Sequence, residues 1–274
     1  MQDSQPNREY TVAVLDPAGN VTAIVCSDVP AAERAHIAAQ LLRLPELGIE
    51  QVAFLAAPRS GGEIRLEMMG GEFCGNALRC AGFYHALRTG AQGKTCVFAE
   101  ISGAEGVQPV MADTAAGEAS TVMPLPRAVQ PVDWPDVPAV CVTFDGITHF
   151  VIDRAQPDDA LVQRAIAAAP EASAVGAVFL DRAAGSIRPV VFVRETGSCV
   201  AETSCASGSV AAAVVLTADF ADGITEIGIG QPGGTLEVGV QRTHGAVTGL
   251  SIGGPVHLAQ TLTVTLTDAA AALG

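Results

Sequence analysis

Aromatic side chains are scarce, at 4% of the 274 residues. A core of this size must therefore be built from Ala, Val, Leu and Ile. Cations are scarce too. Fifteen Lys and Arg stand against 29 Asp and Glu, for a net charge of −14, which excludes nucleic acid and anionic membrane surfaces as partners. No uncharged apolar run reaches the ~18 residues of a membrane span. The opening MQDSQPNREY has no apolar stretch of the signal-peptide kind, so the expected compartment is the reducing cytoplasm. The seven cysteines are Cys26, Cys74, Cys80, Cys96, Cys141, Cys199 and Cys205, and they include no CxxC pair. That excludes a zinc ribbon and a thioredoxin-type redox pair. The scattered His and acids have no metal-ligand spacing, and GGTLEVG is a turn into a strand rather than a phosphate cradle.

Nearly half of what is present is apolar, at 49% hydrophobic residues, and the pattern is duplicated. GGEFCGNALRC opens an Ala-rich helix at Cys74, and ETSCASGS opens another at Cys205. Each is followed by a strand, TCVFAEI or ITEIGIG, and then a glycine turn, at Ser102-Gly103 or Gly233-Gly234. Each is preceded by two strands around a turn, in Tyr10–Val25 and in Ala139–Asp153. Amphipathic helices are expected near Ala31–Leu44, ended by Pro45, and near Asp158–Ala169, ended by Pro170. Alternation marks RPVVFVRET, TLEVGVQR, AVTGLSI and LTVTLTD as strands.

The expected fold is α+β, with two pseudo-symmetric halves. Each half is a mostly antiparallel sheet or barrel wrapped round a central helix. The expected domains are residues 1–125 and 137–274, joined by a Pro-rich linker at 126–136, with the last strand free to cross to the first half. Cys26, Cys96 and Cys141 lie in strand-like runs and read as small buried hydrophobes. Cys80 reads as core. Cys199 falls on a loop, with no role.

A cysteine where a helix begins sits among unsatisfied N–H groups and a partial positive charge, which ease its ionisation. The same N–H groups, on Gly75 and Asn76 or on Ala206 and Ser207, seat a carboxylate. Two such units suit inversion at the α-carbon of an amino acid. One thiolate takes the α-proton from one face, and the other thiol returns a proton to the opposite face.

EFCGNALRC with ETSCASGS resembles the diaminopimelate epimerase superfamily of pyridoxal-phosphate-independent racemases, which carry Cys-Gly-Asn-Gly and Cys-Gly-Thr-Gly motifs in two halves. DPAGN (Asp16–Asn20), GITH (Gly146–His149) and VRET (Val193–Thr196) resemble the superfamily's ligand turns in order and spacing. The resemblance implies that Cys74 and Cys205 are the acid/base pair, that no cofactor is used, and that the partner is a small amino acid. Relatives of this type are often homodimers. Three polar groups of the diaminopimelate enzymes are missing: Thr196 follows Glu195 in place of Arg, Ile147 stands in place of Asn, and RLEMMGGEF has no Asn. A distal carboxylate would lack partners. DPAGN, IEQVAF and MGGEFCGNA resemble instead the histidine racemases that supply D-histidine for metallophores. In such a site Glu50 or Glu195 would hold the imidazole, His149 would orient the substrate or cap its turn, and Asn20 would shape the site through its turn. The alternatives are a diaminopimelate epimerase or another amino acid racemase, a phenazine-biosynthesis-like isomerase, an amino-acid-binding protein without catalysis, and a redox protein with a Cys74–Cys205 disulfide.

Overall fold

A computed structural model describes residues 7–267. The described residues divide into two compact units, one of residues 7–121 with 255–267 and one of residues 122–254.

In the first unit, β1 (Asn7–Asp16) turns back antiparallel to β2 (Thr22–Val25). Helix α1 (Ala31–Leu41) carries the chain over to β3 (Gln51–Ala56), parallel to β2. α1 stops three residues short of the sequence expectation, and Pro45 opens a short 3-10 turn instead. β4 (Ile64–Met68) runs antiparallel to β3. Helix α2 (Gly75–Arg88) leads to β5 (Lys94–Ile101), parallel to β4, and β6 (Gln108–Asp113) and β7 (Glu118–Val122) follow as antiparallel neighbours. Eleven of the fourteen α2 residues are buried, which makes α2 the centre of this unit. It approaches β6 so closely that a Cβ on Gly82 would stand 2.4 Å from Val110 Cγ1.

The second unit repeats this pairing scheme. β9 (Ala139–Thr143) and β10 (Ile147–Asp153) are antiparallel. Helix α3 (Asp159–Ala168), capped by the Asp158 carboxylate, leads to β11 (Ala174–Asp181), parallel to β10. β12 (Ser186–Val193) returns antiparallel. After helix α4 (Ala206–Leu216), β14 (Gly223–Gln231) runs parallel to β12, and β15 (Gly234–Thr243) and β16 (Ala246–Pro255) follow antiparallel. One extra short strand, β13 (Ser198–Ala201), pairs with β12. Nine of the eleven α4 residues are buried. With so few aromatics, Ala and Val carry this packing.

Three sequence expectations change. The Pro-rich stretch assigned to a linker at 126–136 contains β8 (Ala128–Val132), antiparallel to β9. A strand with a neighbour on one side tolerates Pro131 because its N–H is not needed on the open edge. In the first unit the same place beside β1 is taken by β17 (His257–Thr267), so the last strand lies outside the second unit. Cys96 is exposed rather than buried, because alternation along β5 turns every second residue outward; Cys141 is only half-buried in β9, and Cys26, also half-buried, lies just past the end of β2. Cys199 lies exposed in β13 rather than on a loop.

A buried carboxylate organises one edge of the first unit. Glu100 accepts from the backbone N–H groups of Arg59, Ser60 and Gly62 and from the Arg65 guanidinium. The Arg59 N–H leads these in holding its pKa at about 2, below the usual 4.5. A depressed carboxylate stabilises the fold above its unfolded pKa and loses that contribution as pH falls through the folded one. Glu100→Gln should therefore be less stable than the parent at neutral pH, with the gap closing between about pH 4.5 and 2. Urea titrations at several pH values would show this, and a gap that stays constant with pH would refute it.

Candidate active site

Both motif cysteines stand at the position just before a helix, with extended backbone: φ is −136° at Cys74 and −127° at Cys205. Neither residue is helical itself, so each sulfur is placed beside the N–H groups of the turn that follows, which the helix ladder itself does not use. Cys74 Sγ accepts from Ala77 N–H at 3.4 Å. The loop before each cysteine is tied in the same way. Ser102 Oγ donates to the Glu72 carbonyl, and Gly233 N–H donates to the Thr203 carbonyl. Each of these carbonyls lies two residues before its cysteine. Gly103 has φ of +72°, and a Cβ there would stand 2.2 Å from the Phe73 nitrogen. The glycine turn is thus a seat for the cysteine loop.

Around Cys74, the Asp16–Asn20 turn passes through three left-handed residues, Ala18, Gly19 and Asn20. Asp16 Oδ1 accepts from Gly19 N–H, and Glu50 Oε1 accepts from Asn20 N–H at 3.0 Å. Asn20 Oδ1 lies 3.9 Å from Cys74 Sγ, within reach of a long, weak S–H bond. Gln51 also bonds the Cys74 sulfur and fixes its own amide on Thr22 Oγ1 at 2.7 Å. Asn76 is buried, and its Oδ1 accepts from Arg79. Burial pushes the Cys74 thiol up to about 11, against the pull of Ala77 N–H and the Gln51 amide. The residue keeps a partly exposed edge, and water reaching that edge softens the push.

Around Cys205, Gln231 Oε1 accepts from its backbone N–H at 2.7 Å, and Ser209 Oγ donates to its carbonyl. Ser207 Oγ lies 3.7 Å from the sulfur. Burial, then the neighbouring Glu202 carboxylate, push this thiol well above its ordinary value, while Gly208 N–H and the Ser207 hydroxyl pull it down.

Of the carboxylates expected from the sequence to hold a ligand, Glu50 has one oxygen committed to the Asn20 turn. Glu195 stands exposed in the β12–β13 turn, and the acid beside the Cys205 sulfur is Glu202. The added strand β13 causes the difference by turning the chain back before the helix. His149 is fully buried, with Nε2 2.8 Å from Ser207 Oγ. Gln51, Arg79, Glu202 and Gln231 escaped the sequence reading. Gln51, Arg79 and Glu202 left a trace there, as residues inside the quoted IEQVAF, GGEFCGNALRC and ETSCASGS segments. Among the described residues, no group of three or more His, Cys, Asp or Glu is arranged to hold a metal ion. No helix among them is long and apolar enough to cross a membrane.

A family model described as the histidine racemase CntK N-terminal domain matches residues 12–264. The chain belongs to this family. A histidine racemase of Fusobacterium nucleatum subsp. nucleatum is 28% identical over 261 residues, covering 89% of this chain and 92% of the relative. One from Staphylococcus aureus is 28% identical over 246 residues, covering 84% and 88%. The fold is shared more widely. A Bacillus anthracis phenazine biosynthesis protein of the PhzF family aligns with 94% of this chain and 100% of its own at a TM-score of 0.70, with 14% identity.

Proposed function

We propose that this chain racemises free histidine without a cofactor, using Cys74 and Cys205 as the acid/base pair. The observation that carries the reading is the duplicated placement. Each unit presents one thiol at the non-helical start of a buried central helix, beside N–H groups that the helix ladder itself does not use. In one direction the Cys74 thiolate takes the α-proton, and the electron pair left behind spreads into the substrate carboxylate. Backbone N–H groups of Gly75, Asn76, Ala206 and Ser207 stabilise that growing charge. The Cys205 thiol then gives its proton to the opposite face. The two sulfurs end with their protonation exchanged, ready for the reverse reaction. Burial raises both thiols, so the incoming α-ammonium supplies the countercharge that lets one of them ionise.

Histidine is favoured over diaminopimelate because Ile147 and Thr196 replace the Asn and Arg that the resemblance assigns to a distal carboxylate, and a carboxylate without partners is costly. The proposed compartment is the cytoplasm, where the seven free thiols would stay reduced. The test is α-proton exchange in deuterium oxide, with reduced protein and no pyridoxal phosphate, on L-histidine, L-lysine, L-glutamate and L,L-diaminopimelate. Deuteration with loss of chirality is expected for histidine. Turnover of diaminopimelate instead would overturn the substrate, and exchange with none of the four would overturn the reading.

A further inference from the structure

The buried His149 ring has no part in the chemistry proposed above, and its surroundings are unusual. Its Nδ1 has no hydrogen-bond partner. The parallel neighbour of His149 on β11 is Gly176, and a Cβ there would stand 2.1 Å from Nδ1. The glycine is what leaves room for the ring. Phe144 closes another side, edge-on at 6.1 Å. The polar contact is Nε2 to Ser207 Oγ at 2.8 Å, and the same oxygen is 3.7 Å from Cys205 Sγ. A ring, a hydroxyl and a thiol therefore form one chain leading from the core of the second unit to the sulfur.

The direction of this chain follows from the unpartnered nitrogen. A proton on Nδ1 would be a buried donor with no acceptor, the orphan that folded proteins avoid most strictly. The proton therefore sits on Nε2 and is donated to Ser207 Oγ. Burial lowers the His149 pKa to about 4, so the ring stays neutral at working pH. With its oxygen already accepting from the ring, the Ser207 hydroxyl proton is free to be aimed at sulfur.

We propose that His149 is a positioning residue: through Ser207 it fixes a hydroxyl donor on Cys205 and so favours the thiolate over the thiol at that sulfur. The inference rests on the acid/base reading of Cys205 given above. The titratable groups facing Cys205 are Glu202, on the β13–α4 connection, and His149, on β10. They act in opposite senses. Glu202 favours the protonated sulfur and the Ser207 chain favours the bare one, which keeps Cys205 able to serve in either role.

The test is the pH dependence of iodoacetamide labelling of the peptide that carries Cys205, followed by mass spectrometry on the full chain across and above the ordinary thiol titration range. Ser207→Ala and His149→Phe are each expected to move the labelling midpoint up by about one pH unit, the loss of one hydrogen bond to a charged sulfur. Ser207→Thr, which restores the hydroxyl, should keep the parental midpoint. The double variant should shift no further than either single one, because the two residues act in series. Gly176→Ala keeps both the histidine and the serine but displaces the ring, and it should give the same upward shift. An unmoved midpoint in Ser207→Ala would overturn the inference, as would a shift on changing His149 that Ser207→Ala does not share. Labelling is read without substrate. A shifted midpoint in a chain that exchanges no histidine protons would keep this hydrogen-bond chain and sink the catalytic reading of Cys205. Exchange with no shift would do the reverse.

Discussion

Cys74→Ser is expected to lower histidine racemisation by about 10³-fold or more, and Cys205→Ser to do the same. A serine hydroxyl at these positions is a far weaker acid than a thiol, so it neither takes nor supplies the α-proton at useful rates. The two variants should nonetheless differ from each other. With one sulfur left, the protein can still remove the α-proton from the face that sulfur serves and put deuterium back on the same face. Each variant should therefore exchange one enantiomer slowly without inverting it, and the two variants should choose opposite enantiomers. Proton NMR in deuterium oxide gives the exchange, and chiral chromatography gives the inversion. Retention of full racemisation in either variant would remove that cysteine from the mechanism. Loss of exchange of both enantiomers in both variants would argue that the two sulfurs do not work on opposite faces. Unchanged histidine affinity with no exchange even in the parent would leave an amino-acid-binding protein.

Arg79→Met is expected to destabilise the first unit by about 3 kcal/mol, a fall in Tm of roughly 6–12 °C for a chain of this size. Arg79 is fully buried on α2, and its guanidinium is held by neutral oxygens. Nε donates to the Ala119 carbonyl and Nη2 to the Pro255 carbonyl, each at 2.8 Å. Nη1 donates to Pro17 O and Asn76 Oδ1. Burial lowers its pKa to about 10, the mark of a cation kept from water without a carboxylate beside it. Removing the charge relieves that desolvation, and in a pocket lined by carbon this relief could win. Here it leaves three backbone carbonyls without donors, each costing about 1–3 kcal/mol, so the loss prevails. Arg79→Lys keeps the charge, but a single ammonium cannot span three directions at once. It should recover less than half of the lost stability. Thermal unfolding followed by circular dichroism would decide, and an Arg79→Met protein melting with the parent would show that the carbonyls find other donors.

Much of the frame was legible because it rests on local signals. The two helix-start cysteines announced themselves by a repeated pattern: acid, cysteine, small residues, then an Ala-rich run. The glycine turns and alternating strands gave the element order, since a period of two and a Gly at positive φ are properties of short stretches. What was not legible depends on pairing across long separations. β8 hid in a Pro-rich run because prolines mark turns until a neighbouring strand shows which edge is open. Glu202 and Glu195 could not be ranked from spacing, because β13 decides which of them reaches the thiol. Arg79 stood inside the quoted GGEFCGNALRC motif, yet its partners lie on segments 40, 62 and 176 residues away in sequence. No window of sequence connects them.

The pairing of β17 with β1 bears on how this protein is made. The first unit is discontinuous: its strands come from both before and after the second unit, which is one uninterrupted stretch. As the polypeptide leaves the ribosome, the second unit has all its strands before the first has its last. The half begun first is therefore finished last, and until β17 emerges the outer edge of β1 is an unpaired strand exposed to whatever else could pair with it.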